Sequence, residues 1–172
     1  MNDSRPAQSP ETASVADFSP EWRDYFLRML SRSPRFGGPR HFLHSDILRT
    51  MKRIIPATAQ VLEIGVGRGA TLAGLPNPVR RGIDALPEAV EHARTLDPSM
   101  TITLADALTY QSSEQYDAII CDRICHTIPD VQRLLENVTA QLAPGGRIFL
   151  TCFNFLWSVP ISVATRLGVM EP

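Results

Sequence analysis

Three glycines at alternate positions, Gly65-Val66-Gly67-Arg68-Gly69, follow the apolar run Val61–Ile64 in the stretch VLEIGVGRGA. Glycine lets the backbone turn sharply and admits a ligand where a side chain would stand. The helix expected next offers unpaired N–H groups to an anionic group. Carboxylates surround this loop in the sequence. Glu63 lies two residues before it, Asp84 nineteen residues beyond Gly65, and Asp106 and Asp122 each close a later apolar run. An acid at the end of the second run is where ribose hydroxyls are gripped. The chemistry indicated is recognition of a nucleoside-bearing ligand.

Two ligands fit the loop. It also reads as G-x-G-x-x-A through Ala70, so a nicotinamide dinucleotide fits, and Asp84 serves either ligand. Three details favour S-adenosylmethionine. Glu63 would work against a pyrophosphate but suits an ammonium and a sulfonium. Asp106 is an additional acid, placed to accept a hydrogen bond from an adenine amino group. Pro144-Gly145-Gly146 precedes the fifth strand and follows an amphipathic helix.

Methyl transfer from a sulfonium is an in-line displacement, so the protein's main tasks are aligning the acceptor and excluding water. A base is needed only where the acceptor is a protonated hydroxyl, amine or thiol. The segment Asp122-Arg123-Ile124-Cys125-His126-Thr127 supplies His126 as the candidate base and Arg123 as a substrate or carboxylate contact. The segment does not resemble Asn-Pro-Pro-Tyr, the mark of many amino-group methyltransferases of nucleic acids, and that lack of resemblance argues against a DNA base as acceptor. His41 and His44 fall near the second helix, with no spacing that singles them out. Cys121, Cys125 and Cys152 lack CxxC geometry, so no metal site is expected. They read as reduced core thiols of a cytoplasmic protein.

These residues need elements to position them. The 172 residues suit one domain with a sizeable core. Apolar residues at 44% and a net charge of −1 give no reason to expect nucleic acid as the main partner. Residues 21–60 carry eight Arg and Lys against three Asp and Glu, mostly reading as a solvated helix face. No apolar run approaches the roughly 20 residues that span a bilayer, and no signal peptide is evident. Residues 1–17 read as a disordered tail. Residues 18–56 read as N-terminal helices forming a lid, and 57–172 as the ligand-binding α/β domain. Ser19-Pro20-Glu21 starts the first helix, with Trp22, Phe26, Met29 and Leu30 at helical spacing. After a break at Ser33–Pro39, Ile47, Leu48, Met51, Ile54 and Ile55 line a second helix that ends before Pro56. Strands are expected at 60–64, 80–83, 101–104, 116–121 and 147–153. A helix over 131–142 buries Val131, Leu134, Leu135, Val138 and Leu142, and Pro144-Gly145-Gly146 forms a turn. Helix-length crossovers between the strands imply a parallel sheet with helices on both faces.

Taken together, VLEIGVGRGATL, RRGIDALPEAVEHAR, ITLADAL, YDAIICD and LLENVTAQLAPGGRIFLT resemble the successive motifs of class I S-adenosylmethionine-dependent methyltransferases over about residues 45–155. The resemblance implies a Rossmann-like α/β fold with strand order 3-2-1-4-5. It places Glu63, Gly65, Gly67 and Gly69 at the methionine and ribose side, and Asp84 on the ribose hydroxyls. Ala85 or Leu86 would lie against the adenine, Asp106 and Ala107 at its edge, and Asp122 with Arg123 at the methionine end. It also implies two final strands, one antiparallel, for which the sequence has no counterpart. The chain thus reads either as a C-terminally truncated member or as a reduced domain whose fifth-strand edge self-associates. Transfer to a small-molecule acceptor is the leading expectation. A non-catalytic cofactor-binding domain and a nicotinamide oxidoreductase stay open beside it.

Overall fold

The computed structural model describes residues 20–31, 39–152, 156 and 158–166. The expected tail, the Ser19 cap, residues 33–38 and Phe153 lie outside the described residues, as do the side chains of Trp22, Met29 and His41. Two helices come first, α1 (Pro20–Ser31) and α2 (Pro39–Ile54). Met51 and Ile55, four residues apart, are buried, whereas Ile54, expected beside them, is 46% exposed. The buried stripe runs along Ile47, Leu48, Met51 and Ile55, and Ile54 falls on its rim. Asn77 fixes the passage into the sheet, its amide donating to the Pro56 and Ala59 carbonyls at 2.8 and 2.9 Å.

The remaining elements alternate: β1 (Val61–Ile64), α3 (Ala70–Gly74), β2 (Arg80–Asp84), α4 (Pro87–Leu96), β3 (Thr101–Leu104), β4 (Tyr116–Asp122), α5 (Val131–Thr139), β5 (Leu142–Thr151) and α6 (Ser158–Arg166). All strand pairings are parallel, in the order β3-β2-β1-β4-β5. Successive side chains of a strand point to opposite faces, and here both faces are covered. Val61, Ala118 and Ile120 join Leu72 and Val90 in one apolar layer. Leu62, Ile64, Ile119 and Cys121 join Leu134 and Val138 of α5 in the other. That double burial is why the strands read as apolar runs rather than alternating ones. No helix among the described residues is long and apolar enough to cross a membrane.

The α5–β5 junction departs from expectation. The helix opens on an Asp130 cap, whose carboxylate accepts from the Arg133 N–H at 2.9 Å. It stops at Thr139, and Leu142, expected on its buried face, instead begins β5 opposite Tyr116. Pro144-Gly145-Gly146 is not a turn before the strand but an irregularity within it. Tyr116 pairs with Leu142, whereas Ala118 pairs with Arg147. Pro144 has no N–H for the ladder and Gly145 takes φ 80°, so the extra residues bulge and pairing resumes beyond them. Among the described residues no strand pairs with the other side of β5, and Leu150 is 44% exposed there.

Candidate functional site

Strand register brings three carboxylates together. Glu63 in β1 pairs with Gly82 in β2 and Ile120 in β4. Asp84 and Asp122 stand two residues beyond those partners, so the pleat sets all three on one face at the carboxyl ends of adjacent strands. Glu63 is 2% exposed, and its Oε2 has no hydrogen-bond partner. Burial above all, then the Asp122 charge, pushes the Glu63 carboxyl well above its ordinary range. The Leu72 N–H and the Arg123 charge pull the other way, and Asp84 adds a smaller upward push. A buried carboxylate oxygen without a donor is costly, and a cation or N–H donor placed there would relieve it.

The glycine loop joins β1 to α3 above these carboxylates. Gly67 has φ 50°, and a Cβ built on it meets nothing within 4 Å, so the backbone borders open space. Gly69 has φ 76° for a different reason. A Cβ there would lie 2.9 Å from the Ala93 Cβ, so this glycine lets the loop pack on α4. The helix that follows has five residues, too short to act as the anion-binding N-terminus expected from the sequence. The Gly67 N–H instead donates to Asp84 Oδ2 at 2.8 Å, while the Leu86 N–H donates to Oδ1 at 2.9 Å. Asp84 thereby ties the loop to the β2–α4 turn. With three N–H donors on its two oxygens, the carboxylate keeps one lone pair for a ligand hydroxyl. Burial raises the Asp84 carboxyl, the three backbone N–H groups of Leu86, Gly67 and Ala85 opposing it.

Asp106 forms a turn, its Oδ1 accepting from the Leu108 N–H at 2.7 Å. Ala107 beside it is buried, as is Leu86; Ala85 is half-buried. At the β4 end, Arg123 donates through Nε and Nη2 to Asp122 Oδ2 at 3.2 and 3.0 Å. The guanidinium, expected on substrate or on a carboxylate, lies on the neighbouring Asp122 carboxylate. His126 is exposed, three residues further along the same loop. Of the three cysteines only Cys121 is buried, where burial pushes its thiol up to about 12. The expectation of core thiols thus fails for half-buried Cys125 and exposed Cys152, which follow the ends of β4 and β5.

Four residues escaped the sequence reading. Thr151 donates through Oγ1 to Asp122 Oδ1, and the Arg123 N–H returns to its hydroxyl at 3.0 Å and its carbonyl at 3.1 Å. Asn137 of α5 donates to the Ala107 and Tyr110 carbonyls, each at 2.9 Å, holding the Asp106 loop. Arg68 donates to the Leu30 carbonyl at 2.8 Å, joining the glycine loop to α1. The His92 Nδ1 meets the Arg68 carbonyl at 3.1 Å. Arg68 was legible as the side chain projecting from a glycine loop. The other three act across the chain, and no local pattern marks them.

Residues 21–166 match a family model described as a methyltransferase domain, and the chain belongs to that family. It is 27% identical over 155 residues to a ubiquinone biosynthesis O-methyltransferase of Xanthomonas axonopodis pv. citri (strain 306), covering 83% of this chain and 64% of that protein. It is 31% identical over 114 residues to a trans-aconitate 2-methyltransferase of Methylobacterium radiotolerans, covering 65% and 44%. The chain thus spans less than two thirds of the length of either relative. The N-methyltransferase NodS of Bradyrhizobium japonicum WM9, solved with S-adenosyl-L-homocysteine, superposes with a TM-score of 0.62 at 22% identity, over 73% of this chain and 69% of that one. The plantazolicin methyltransferase BpumL, solved with a triazolic desmethylPZN analog and the same ligand, gives 0.66 at 19% identity, over 89% and 59%. These two share the fold.

Proposed function

We propose that this chain binds S-adenosylmethionine at the carboxyl ends of β1, β2 and β4 and transfers its methyl group to a small-molecule acceptor. The observation that carries this reading is the buried, unpartnered Glu63 Oε2 beneath a loop whose Gly67 borders open space. An anionic pyrophosphate is disfavoured beside Glu63 and Asp122, whereas a ligand bearing an ammonium and a sulfonium is attracted. Its sulfonium supplies a methyl group already activated for displacement. In this reading Gly65, Gly67 and Gly69 shape the loop around the ligand, and Asp84 takes the ribose hydroxyls. Ala85, Leu86, Asp106 and Ala107 border the adenine. Glu63, Asp122 and Arg123 set the charge at the methionine end. His126 takes a proton from a hydroxyl, amine or thiol acceptor. The family membership and two of the relatives, a ubiquinone biosynthesis O-methyltransferase and a trans-aconitate 2-methyltransferase, support the acceptor class.

Titration calorimetry with S-adenosylhomocysteine, with NAD as the control, tests the cofactor. Heat with the first and none with the second is expected, and no heat with the first from folded protein sinks the reading. For the acceptor side, His126→Ala is expected to lose turnover on a panel of small hydroxyl and amino acceptors while keeping S-adenosylhomocysteine affinity. Retained turnover removes His126 from the mechanism. We further propose a cytoplasmic location, consistent with free rather than paired thiols, and self-association through the open edge of β5.

A further inference from the structure

Among the described residues Arg123 is the only non-glycine with positive φ, at 54°. The left-handed region is disfavoured for a residue with a Cβ, and such strain persists only where the surroundings hold it. Thr151 does so, accepting the Arg123 N–H at both its carbonyl and its hydroxyl. The strained turn delivers the guanidinium to Asp122, whose side chain is 4% exposed against 38% for Arg123. Thr151 takes the other Asp122 oxygen. Beside this pair lies Glu63, buried with one oxygen unpartnered, which feels both the Asp122 and the Arg123 charge. A cation therefore stands beside two of the three carboxylates gathered at the strand ends.

We propose that Arg123 is the resident cation of the cofactor pocket, and that its charge sets how strongly the pocket prefers the methyl-bearing cofactor over the demethylated product. The inference rests on the cofactor reading given above. S-adenosylmethionine carries an ammonium, a sulfonium and a carboxylate, leaving one net positive charge, whereas S-adenosylhomocysteine lacks the sulfonium charge and is net neutral. Carboxylates alone would favour the first strongly. The guanidinium cancels part of that attraction and pairs with buried Asp122 when no ligand is bound.

The test is calorimetric titration of wild type, Arg123→Gln, Arg123→Gly and Arg123→Lys with each ligand at one fixed ionic strength. The measured quantity is the Kd for S-adenosylhomocysteine divided by that for S-adenosylmethionine. Both uncharged variants should raise this ratio about tenfold, the scale expected for one unit charge removed from a partly buried site. Arg123→Lys should leave it within about twofold. Arg123→Gly also relieves the positive φ, so it supplies a folded uncharged variant if Arg123→Gln fails to fold. An unchanged ratio in the uncharged variants overturns the proposal. So does an equal shift in Arg123→Lys, because side-chain shape rather than charge would then be responsible. Wild type that binds neither ligand overturns the cofactor reading itself, an outcome visible before any variant is compared.

Discussion

Glu63 destabilises the protein that holds no ligand. Its carboxyl in the fold sits well above the ordinary glutamate value of 4.5, chiefly through burial. A raised acid binds its proton more tightly folded than unfolded. Its contribution to stability is therefore complete below 4.5 and is lost as pH rises through the raised value. Asp84 acts with the same sign above 3.8. Glu63→Gln is expected to raise the Tm of ligand-free protein at pH 7 and to flatten its decline as pH rises above 4.5, while weakening S-adenosylhomocysteine binding about tenfold or more. Thermal melts across pH and calorimetry check the two halves. The loop glycines separate similarly. Gly67→Val adds atoms to open space and should abolish ligand binding for about 1–2 kcal/mol of stability, the cost of its positive φ. Gly69→Ala combines positive φ with a clash against Ala93 and should cost about 2–4 kcal/mol. Denaturant melts and calorimetry check these, and ligand affinity retained in Gly67→Val would make that glycine purely structural. Glu63, Asp84 and Asp122 were legible from sequence because each lies at or beside the end of an apolar run. Thr151 was not, because only the pairing of Asp122 with Thr151 puts its hydroxyl on that carboxylate.

At the level of elements, α5 does more than cover the sheet. Asn137 reaches from it to the carbonyls of Ala107 and Tyr110, and buried Gln141 just beyond it donates to Tyr110 and accepts from the Ser112 N–H. These bonds hold the loop after β3 in which Asp106 lies. Asn137→Ala leaves two carbonyls without that donor and should cost about 1–3 kcal/mol by denaturant melt. It should also weaken adenosine binding, because the loop carrying Asp106 and Ala107 loosens. Adenosine affinity unchanged at reduced stability would separate α5 from the site. The same region shows where sequence reading stops. Val131, Leu134, Leu135, Val138 and Leu142 keep a helical period, so periodicity alone carries the helix to Leu142. What ends it earlier is tertiary: the Gln141 side chain bonds the distant loop and its carbonyl accepts from Tyr116 N–H at 2.9 Å, turning the chain into β5.

On the scale of the whole molecule, helix-length crossovers made the parallel sheet legible, whereas the strand order came only from the resemblance of the motif succession to the family. The open side of β5 is what that topology leaves unmatched. Beyond the bulge the strand runs regularly from Arg147 to Thr151, with Leu150 44% exposed, and among the described residues only β4 pairs with it. An edge of this length presents a row of unpaired N–H and C=O groups, a template for another strand. A second copy of the chain offers the same edge, and two such edges related by a two-fold axis run antiparallel, the pairing that a closed dimer requires. The protein should therefore sediment as a concentration-dependent dimer at tens of micromolar. Leu150→Lys places a charge on each copy close to the shared edge and should shift it to monomer, with its melt little changed because the side chain is already half in water. Wild type that stays monomeric throughout that range, or a Leu150→Lys variant that still dimerises, rules out pairing through β5.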